Sequence, residues 1–110
     1  MESSGAIERV ADRFAALASP LRIQIVRLLL AAHKLGGMTV GDIQGELRIA
    51  ASTLTHHLER LKHAGLIETR KDRQWIWCSI NTKALQEMLE FLYQECCSRN
   101  VAVSTEWRKP

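Results

Sequence analysis

One stretch, residues 39–71, constrains the fold of this chain more than any other, because it predicts a helix, a tight turn, a second helix and a strand. On the second helix, Leu54, Leu58 and Leu61 recur at spacings of four and three residues, which predicts a buried stripe. Gly65 follows them and is expected to end the helix in a left-handed conformation. The stretch therefore predicts two short helices packed through an apolar seam.

The second helix also carries a polar face. The side chains that fall off the leucine stripe, toward solvent, are small, polar or basic: Ser52, Thr53, Thr55, His56 and Arg60. Two short helices, the second of which presents such side chains, are typical of a helix-turn-helix that enters a DNA major groove. We therefore interpret these five residues as DNA contacts.

Two features of this helix carry further expectations. Ala50 and Ala51 stand at its start, where a side-chain cap is absent, and that loss costs about 1 kcal/mol. His57 is more readily explained as a half-buried, hydrogen-bonded residue than as a catalytic one.

Two short alternating segments follow, at residues 66–71 and 75–80, and they predict a β-hairpin with Asp72 in a polar turn. Its basic residues are Arg70, Lys71 and Arg73. They could simply be a solvated hairpin tip, or they could contact phosphates or an adjacent minor groove. The neighbouring helix-turn-helix favours DNA contact.

Three segments together resemble the winged-helix repressors of the ArsR/SmtB type. Residues 52–58 (STLTHHL) and 61–67 (LKHAGLI) are similar to that family's recognition helix, residues 14–23 (FAALASPLRI) to its upstream segment, and residues 73–80 (RQWIWCSI) to its wing strand. The resemblance covers roughly residues 10 to 95. It implies a mainly α winged helix-turn-helix of about five helices with a two-stranded β-hairpin wing, acting as a DNA-binding repressor.

The first and last helices are both amphipathic. Ile7, Val10 and Phe14 share a face of the first, and the last carries an apolar stripe of Leu85, Met88, Leu89 and Leu92. In the resembling family these two helices form a homodimer, and we expect the same here. Between these two helices, Ser19 and Pro20 predict the start of a second helix that extends to about residue 34. At 110 residues the chain is expected to be a single domain, residues 1–110.

The bulk composition excludes several classes. No apolar run approaches the length of a membrane span, and the N-terminal residues contain acidic side chains and lack the basic-then-apolar pattern of a signal sequence, so a cytoplasmic protein without membrane contact is expected. The net charge of +3 is compatible with nucleic acid. No nucleophile-base-acid set or phosphate loop stands out, so we do not expect an enzyme; a winged-helix module for protein or RNA contacts remains the alternative to a repressor.

The ligand expectation depends on cysteines. Residues 39–43 (TVGDI) lack the two thiols that the family's arsenic sensors carry there, and residues 82–100 contain no His or Asp, so no zinc site is evident. Cys96 and Cys97 remain, a vicinal pair that suits trivalent arsenic, including organoarsenicals that fill the third position themselves. A redox sensor, another thiophilic ligand or no ligand are the alternatives. Ile76, Cys78 and Ile80 share one face of the second hairpin segment, so Cys78 is expected to be a small core residue.

Overall fold

The computed structural model describes the backbone of residues 4–98 and the side chains of residues 5–94. Five α-helices run within that range: α1 (Ser4–Leu17), α2 (Pro20–Ala31), α3 (Val40–Leu47), α4 (Ala51–His63) and α5 (Thr82–Ser98). Three strands accompany them: β1 (Met38–Thr39), β2 (Ile67–Asp72) and β3 (Trp75–Ile80). The mainly α winged helix-turn-helix predicted from the sequence is confirmed, with α4 as the recognition helix and the β2–β3 hairpin as the wing.

Local sequence signals place the helix starts. The Ser19 hydroxyl accepts a hydrogen bond from the Arg22 amide at 3.3 Å, and Pro20 occupies the first position of α2. The Thr39 hydroxyl caps α3 in the same way, accepting from the Asp42 amide at 3.1 Å. Ala50 offers α4 no such bond, as expected.

The helix that follows Pro20 is shorter than predicted. The sequence indicated a helix to about residue 34, whereas α2 ends at Ala31 and a turn of 3₁₀-helix occupies His33–Leu35. Gly36 then adopts a left-handed conformation, with φ of 87°. Gly37 lies so close to β3 that a Cβ atom there would clash with the Cys78 carbonyl oxygen.

The sheet differs from the predicted hairpin in two ways. It has three antiparallel strands in the order β1-β3-β2, because Met38 and Thr39 pair with Cys78 and Trp77. A two-residue strand is too short to produce a period-two pattern, so the sequence could not reveal it.

The hairpin turn also lies one position later than predicted. Asp72 is the last residue of β2 and pairs with Trp75, so the turn is Arg73–Gln74. Arg73 adopts a positive φ of 61°, which is uncommon for a residue other than glycine and gave no signal in the sequence.

The core joins all the helices to the sheet. The three α4 leucines are buried as predicted and pack in one apolar cluster with side chains from α2, α3 and β3, including Ile25, Leu29, Ile43 and Ile80. Cys78 is fully buried, which confirms its interpretation as a core residue. Ile76, expected on the same inward face, is 48% exposed, because an open cleft of about 210 Å³ separates this end of the wing from α4.

Within residues 4–98 no single helix has the length and apolarity to cross a membrane. Only α1 and α2 together meet those criteria, and a bend of 97° separates them.

Candidate nucleic-acid interface

The first half of α4 is the exposed, polar part of the helix-turn-helix. Ser52, Thr53, Thr55 and His56 are all exposed, whereas Leu54 between them is fully buried. The leucine stripe fixes the rotation of α4 about its own axis, because any other rotation would expose the leucines. The four polar side chains therefore form one surface on the structure, in the arrangement that the sequence predicted.

Arg60 differs from those four side chains because it already holds a bond within the protein. It is half-buried in the last turn of α4, and its Nη2 atom donates a hydrogen bond to Oδ1 of Asp12 on α1 at 3.1 Å. Arg60 lies off the leucine stripe as expected, with its side chain 30% exposed, and the carboxylate of Asp12 attracts the guanidinium to α1. Forty-eight residues separate the two partners, so no local pattern could reveal the pair.

The three basic wing residues divide into two groups. Arg70 folds back on the protein: Nη1 donates to the Gly36 carbonyl at 3.1 Å, and the guanidinium lies 5.1 Å from the ring centroid of Trp77. Lys71 and Arg73 are exposed, and no ion pair of the described part of the chain includes either. The charge available to an external anion at the wing therefore comes from Lys71 and Arg73.

His57 contacts the rest of the protein through a hydrogen bond, as the sequence suggested. It is half-buried, and its Nδ1 atom lies 3.0 Å from Nη1 of Arg22, whose Nε atom donates to the Ala16 carbonyl at 2.6 Å. Burial lowers the pKa of His57, and the positive charge of Arg22 and the neighbouring His56 lower it further. A neutral ring whose Nδ1 accepts from Arg22 satisfies these contacts and joins α1, α2 and α4.

The end of α4 is bonded to the start of α5 through one residue that sequence reasoning did not assign to the site. Gly65 has a φ of 80° and ends α4 as predicted. The Asn81 side chain donates from Nδ2 to the Gly65 carbonyl at 2.9 Å. Its backbone N–H donates to the Leu66 carbonyl, also at 2.9 Å. Its Oδ1 atom accepts from the Ala84 amide at 3.1 Å, so the residue that caps α5 also holds the end of α4. Only its capping position could have been recognised in the sequence.

A second contact joins α1 to α5. The Arg13 side chain is 11% exposed, and Nη1 lies 3.0 Å from Oε1 of Glu87. That hydrogen bond lowers the pKa of Glu87 below its usual range. Arg13 also lies against Gly65, since a Cβ atom there would be 3.8 Å from its Nη2 atom.

The structure describes the environment of the Cys78 side chain. Burial raises the pKa of the Cys78 thiol to about 11, and the positive charge of Lys62 opposes that shift. Cys96 and Cys97 belong to the last turns of α5, and their side chains lie outside the described residues. Among the described residues, no three His, Cys, Asp or Glu side chains are grouped so that they could bind a metal ion.

Comparisons with known proteins support a regulator. Residues 17–70 match a family model described as a helix-turn-helix domain. The chain is 37% identical over 79 residues to the transcriptional repressor SdpR of Bacillus subtilis, covering 72% of this chain and 83% of that protein. It is 31% identical over 85 residues to the transcriptional activator HlyU of Vibrio cholerae, covering 77% of this chain and 75% of HlyU.

Solved structures agree with the fold. A structure of HlyU superimposes with a TM-score of 0.67 and 29% identity, covering 88% of this chain and 99% of HlyU. A homodimeric winged helix-turn-helix DNA-binding domain from Mycobacterium bovis superimposes with a TM-score of 0.65 and 23% identity, covering 94% of this chain and 96% of that one. The relatives are regulators that bind DNA and not enzymes. The exposed recognition helix, the wing and these relatives together show that the chain belongs to the ArsR/SmtB-type family of winged helix-turn-helix transcriptional regulators.

Proposed function

We propose that the protein is a dimeric repressor whose α4 reads operator DNA in the major groove and whose wing contacts the adjacent backbone. The observation that carries the proposal is the exposed polar surface of α4, directly opposite its buried leucines. Ser52, Thr53, Thr55 and His56 are the side chains that contact base edges or nearby phosphates. Lys71 and Arg73 pair with phosphates, which position the protein without reading sequence.

Arg60 and Arg70 have smaller parts in this proposal than the sequence suggested. Each already holds a hydrogen bond within the protein, Arg60 to Asp12 and Arg70 to the Gly36 carbonyl. A phosphate would have to share the guanidinium with that contact, using its remaining N–H donors. We therefore assign Arg60 to support of α4 and Arg70 to support of the wing.

The homodimer is supported by apolar side chains on α1 and α5. Ile7 and Phe14 of α1 are 52% and 37% exposed, and Leu89 and Leu92 of α5 are 49% and 48% exposed. A second copy of the chain would remove these four side chains from water. Two recognition helices about 34 Å apart would then read half-sites one helical turn apart. Sedimentation should show a dimer at micromolar concentration in low salt, and a monomer would refute this arrangement.

The DNA contacts are tested by selecting duplexes from a random library with the wild-type protein and measuring affinity by fluorescence anisotropy. Thr55→Ala or His56→Ala should relax sequence preference by roughly 1–3 kcal/mol per well-formed contact. Arg73→Ala should instead weaken binding to all sequences and flatten the salt dependence by about one unit. Loss of only the selected site in Arg73→Ala, with an unchanged salt slope, would contradict these roles. Failure to enrich any duplex would favour a module for protein or RNA contacts.

The inducer that we propose is trivalent arsenic, inorganic or methylated, bound by Cys96 and Cys97. Neighbouring residues on a helix point about 100° apart, so both sulfurs reach one ion only if the last turn of α5 loosens. Two thiolates leave a third position on arsenic, which a methyl or phenyl group can fill. Thiols stay reduced in the cytoplasm, and operator DNA lies there. We therefore propose that the protein is cytoplasmic.

The thiol site is tested by titrating the complex of protein and labelled duplex with inorganic and methylated trivalent arsenic under reducing conditions. Cys96→Ser and Cys97→Ser should each retain DNA affinity and lose release. Cys78→Ser is the matched control and should still respond, because the native thiol is buried and of high pKa. Normal release of the Cys96→Ser, Cys97→Ser double variant would exclude the site. Release by hydrogen peroxide and by neither arsenical would favour a redox sensor.

A further inference from the structure

The cleft between the wing and α4 has apolar walls that other side chains leave uncovered. Its volume is about 210 Å³, and the residues that line it come from α3, α4 and both wing strands. The apolar ones are Val40, Leu58, Ile76 and Cys78. Ile76 is 48% exposed, whereas Cys78 is fully buried and forms the floor. A molecule that fills the cleft would remove the apolar surface of Ile76 from water, which is favourable.

The mouth of the cleft carries one negative and one positive side chain. Glu59 and Lys62 both line the cleft and are exposed, and they lie three residues apart on α4, on the same side of the helix. No ion pair of residues 5–94 includes either of them. Both charges are therefore available to a molecule that enters the cleft.

The size and the charges of the cleft select a class of ligand. An apolar cavity of about 150 Å³ accommodates a benzene molecule, so this cleft has room for one aromatic or branched aliphatic group. A purely anionic head group would be attracted by Lys62 and repelled by Glu59, and a purely cationic one would meet the reverse. An α-amino acid carries an ammonium and a carboxylate on a single carbon atom, so it satisfies both side chains at once.

We propose that the cleft binds a free α-amino acid with an apolar side chain. The side chain packs between Leu58 and Ile76, while the ammonium group pairs with Glu59 and the carboxylate with Lys62. Thr55, which we propose to contact base edges, also lines the cleft. A bound amino acid therefore occupies space beside a side chain that DNA uses, and the two ligands should oppose each other. This effect on DNA rests on the proposed function, whereas the binding of the amino acid does not.

Binding is measured on the full chain without DNA, by NMR titration with L-phenylalanine and, separately, with L-leucine. Backbone amide signals of cleft residues such as Val40, Thr69 and Ile76 should shift. Ile76→Ala should weaken binding about fivefold to tenfold, because the amino acid then covers less apolar surface. Ile23→Ala is the matched control, since Ile23 is 47% exposed on α2, does not line the cleft and should bind as the wild type does.

The two charges are tested with derivatives of the amino acid that binds more tightly. Its amide lacks the carboxylate, and its N-acetyl form lacks the ammonium. Glu59→Gln should weaken binding of the amino acid up to about fivefold and leave the N-acetyl form unaffected, and Lys62→Gln should do the same with the amide. Glu68→Gln is the matched charge control: Glu68 is exposed on β2, on the opposite face from Thr69, and should bind as the wild type does.

The effect on DNA is measured by anisotropy with a duplex that the wild-type protein selects from a random library. A saturating concentration of the amino acid should lower DNA affinity, and saturating duplex should lower affinity for the amino acid by the same factor. Binding of the amino acid with unchanged DNA affinity would overturn this opposition.

Three results would overturn the amino acid site while leaving the proposed function intact. They are no binding of either amino acid at millimolar concentration, shifts confined to signals from outside the cleft, or wild-type affinity in both the Glu59→Gln and Lys62→Gln variants. If the wild-type protein selects no duplex, the proposed function itself fails, and the titrations without DNA still decide the site.

Discussion

Exchanging the charges of Asp12 and Arg60 tests whether α1 holds the recognition helix in place. Arg60 is bonded to Asp12, although its sequence position suggested a DNA contact. If the pair positions α4, Asp12→Ala and Arg60→Ala should lower DNA affinity equally, and the double alanine variant should be no worse than either single one. The reversed pair, Asp12→Arg with Arg60→Asp, should restore most of the loss.

The expected effect is small and can be bounded from the structure. The atoms Nη2 of Arg60 and Oδ1 of Asp12 lie 3.1 Å apart, which is an ideal distance, but the two side chains are 30% and 47% exposed. Solvent screens such a pair, so its coupling energy is about 0.2–1 kcal/mol. If all of that energy orients α4 for binding, DNA affinity falls by a factor of about 1.4 to 5. A phosphate contact would instead change the salt slope by about one unit.

Two measurements separate these explanations. Urea unfolding of the four proteins in the cycle gives the coupling energy in the absence of DNA. Anisotropy titrations at several salt concentrations give the affinity and its salt slope. A positioning role of the pair is excluded if Arg60→Ala flattens the slope while Asp12→Ala does not, and if the reversed pair binds no better than Arg60→Ala alone. Arg60 would then be a phosphate contact.

Three further predictions concern single residues. Ala50→Ser should stabilise the protein against urea by about 0.5–1 kcal/mol, because a hydroxyl can cap α4, and no change would show that the α4 start is already satisfied. The pKa of His57 is lowered on folding, so the unfolded chain takes up the proton first and stability should fall as the pH drops below about 6.5. His57→Gln should lessen this fall, and His56→Gln should lessen it less, because the His56 charge is the smallest of the three causes that lower the pKa of His57. Cys78 should resist iodoacetamide at pH 8 until urea unfolds the protein, and alkylation of the native protein at the rate of a free thiol would contradict its burial.

Much of the fold follows from signals that are local in the sequence. Leu54, Leu58 and Leu61 fix the buried side of α4 by their spacing alone, and the exposed side follows as its complement. Ser19 with Pro20, and Gly65, mark helix ends through backbone requirements that neighbouring residues satisfy. The recognition surface is therefore predictable because it depends on rotation and length of a single helix.

The hydrogen-bond partners of individual arginines could not be predicted, because those partners are distant in sequence. Arg60 pairs with Asp12, and Arg70 reaches the Gly36 carbonyl, 34 residues away. A basic residue in a DNA-binding pattern gives the same sequence signal whether its charge is exposed or already bonded. The exposure of Ile76 could not be predicted for a related reason. Alternation predicts its face correctly, but the spacing between the wing and α4 decides whether other side chains cover that face.

The contacts around Gly65 give the proposed inducer site a physical route to the DNA-reading surface. Asn81 caps α5 and, with the same side chain, holds the carbonyl of Gly65 at the end of α4, so α5 cannot rotate about its first turn without straining that bond. Arg13 lies against Gly65 and pairs with Glu87 one turn further along α5, which extends the connection toward the proposed dimer surface. A ligand that loosens the far end of α5 gains influence over DNA only if the two states of α5 differ in energy at α4. Asn81 and Arg13, together with Ala84 and Met88 in the core that α5 shares with α4, are described residues through which such a difference would reach the recognition helix.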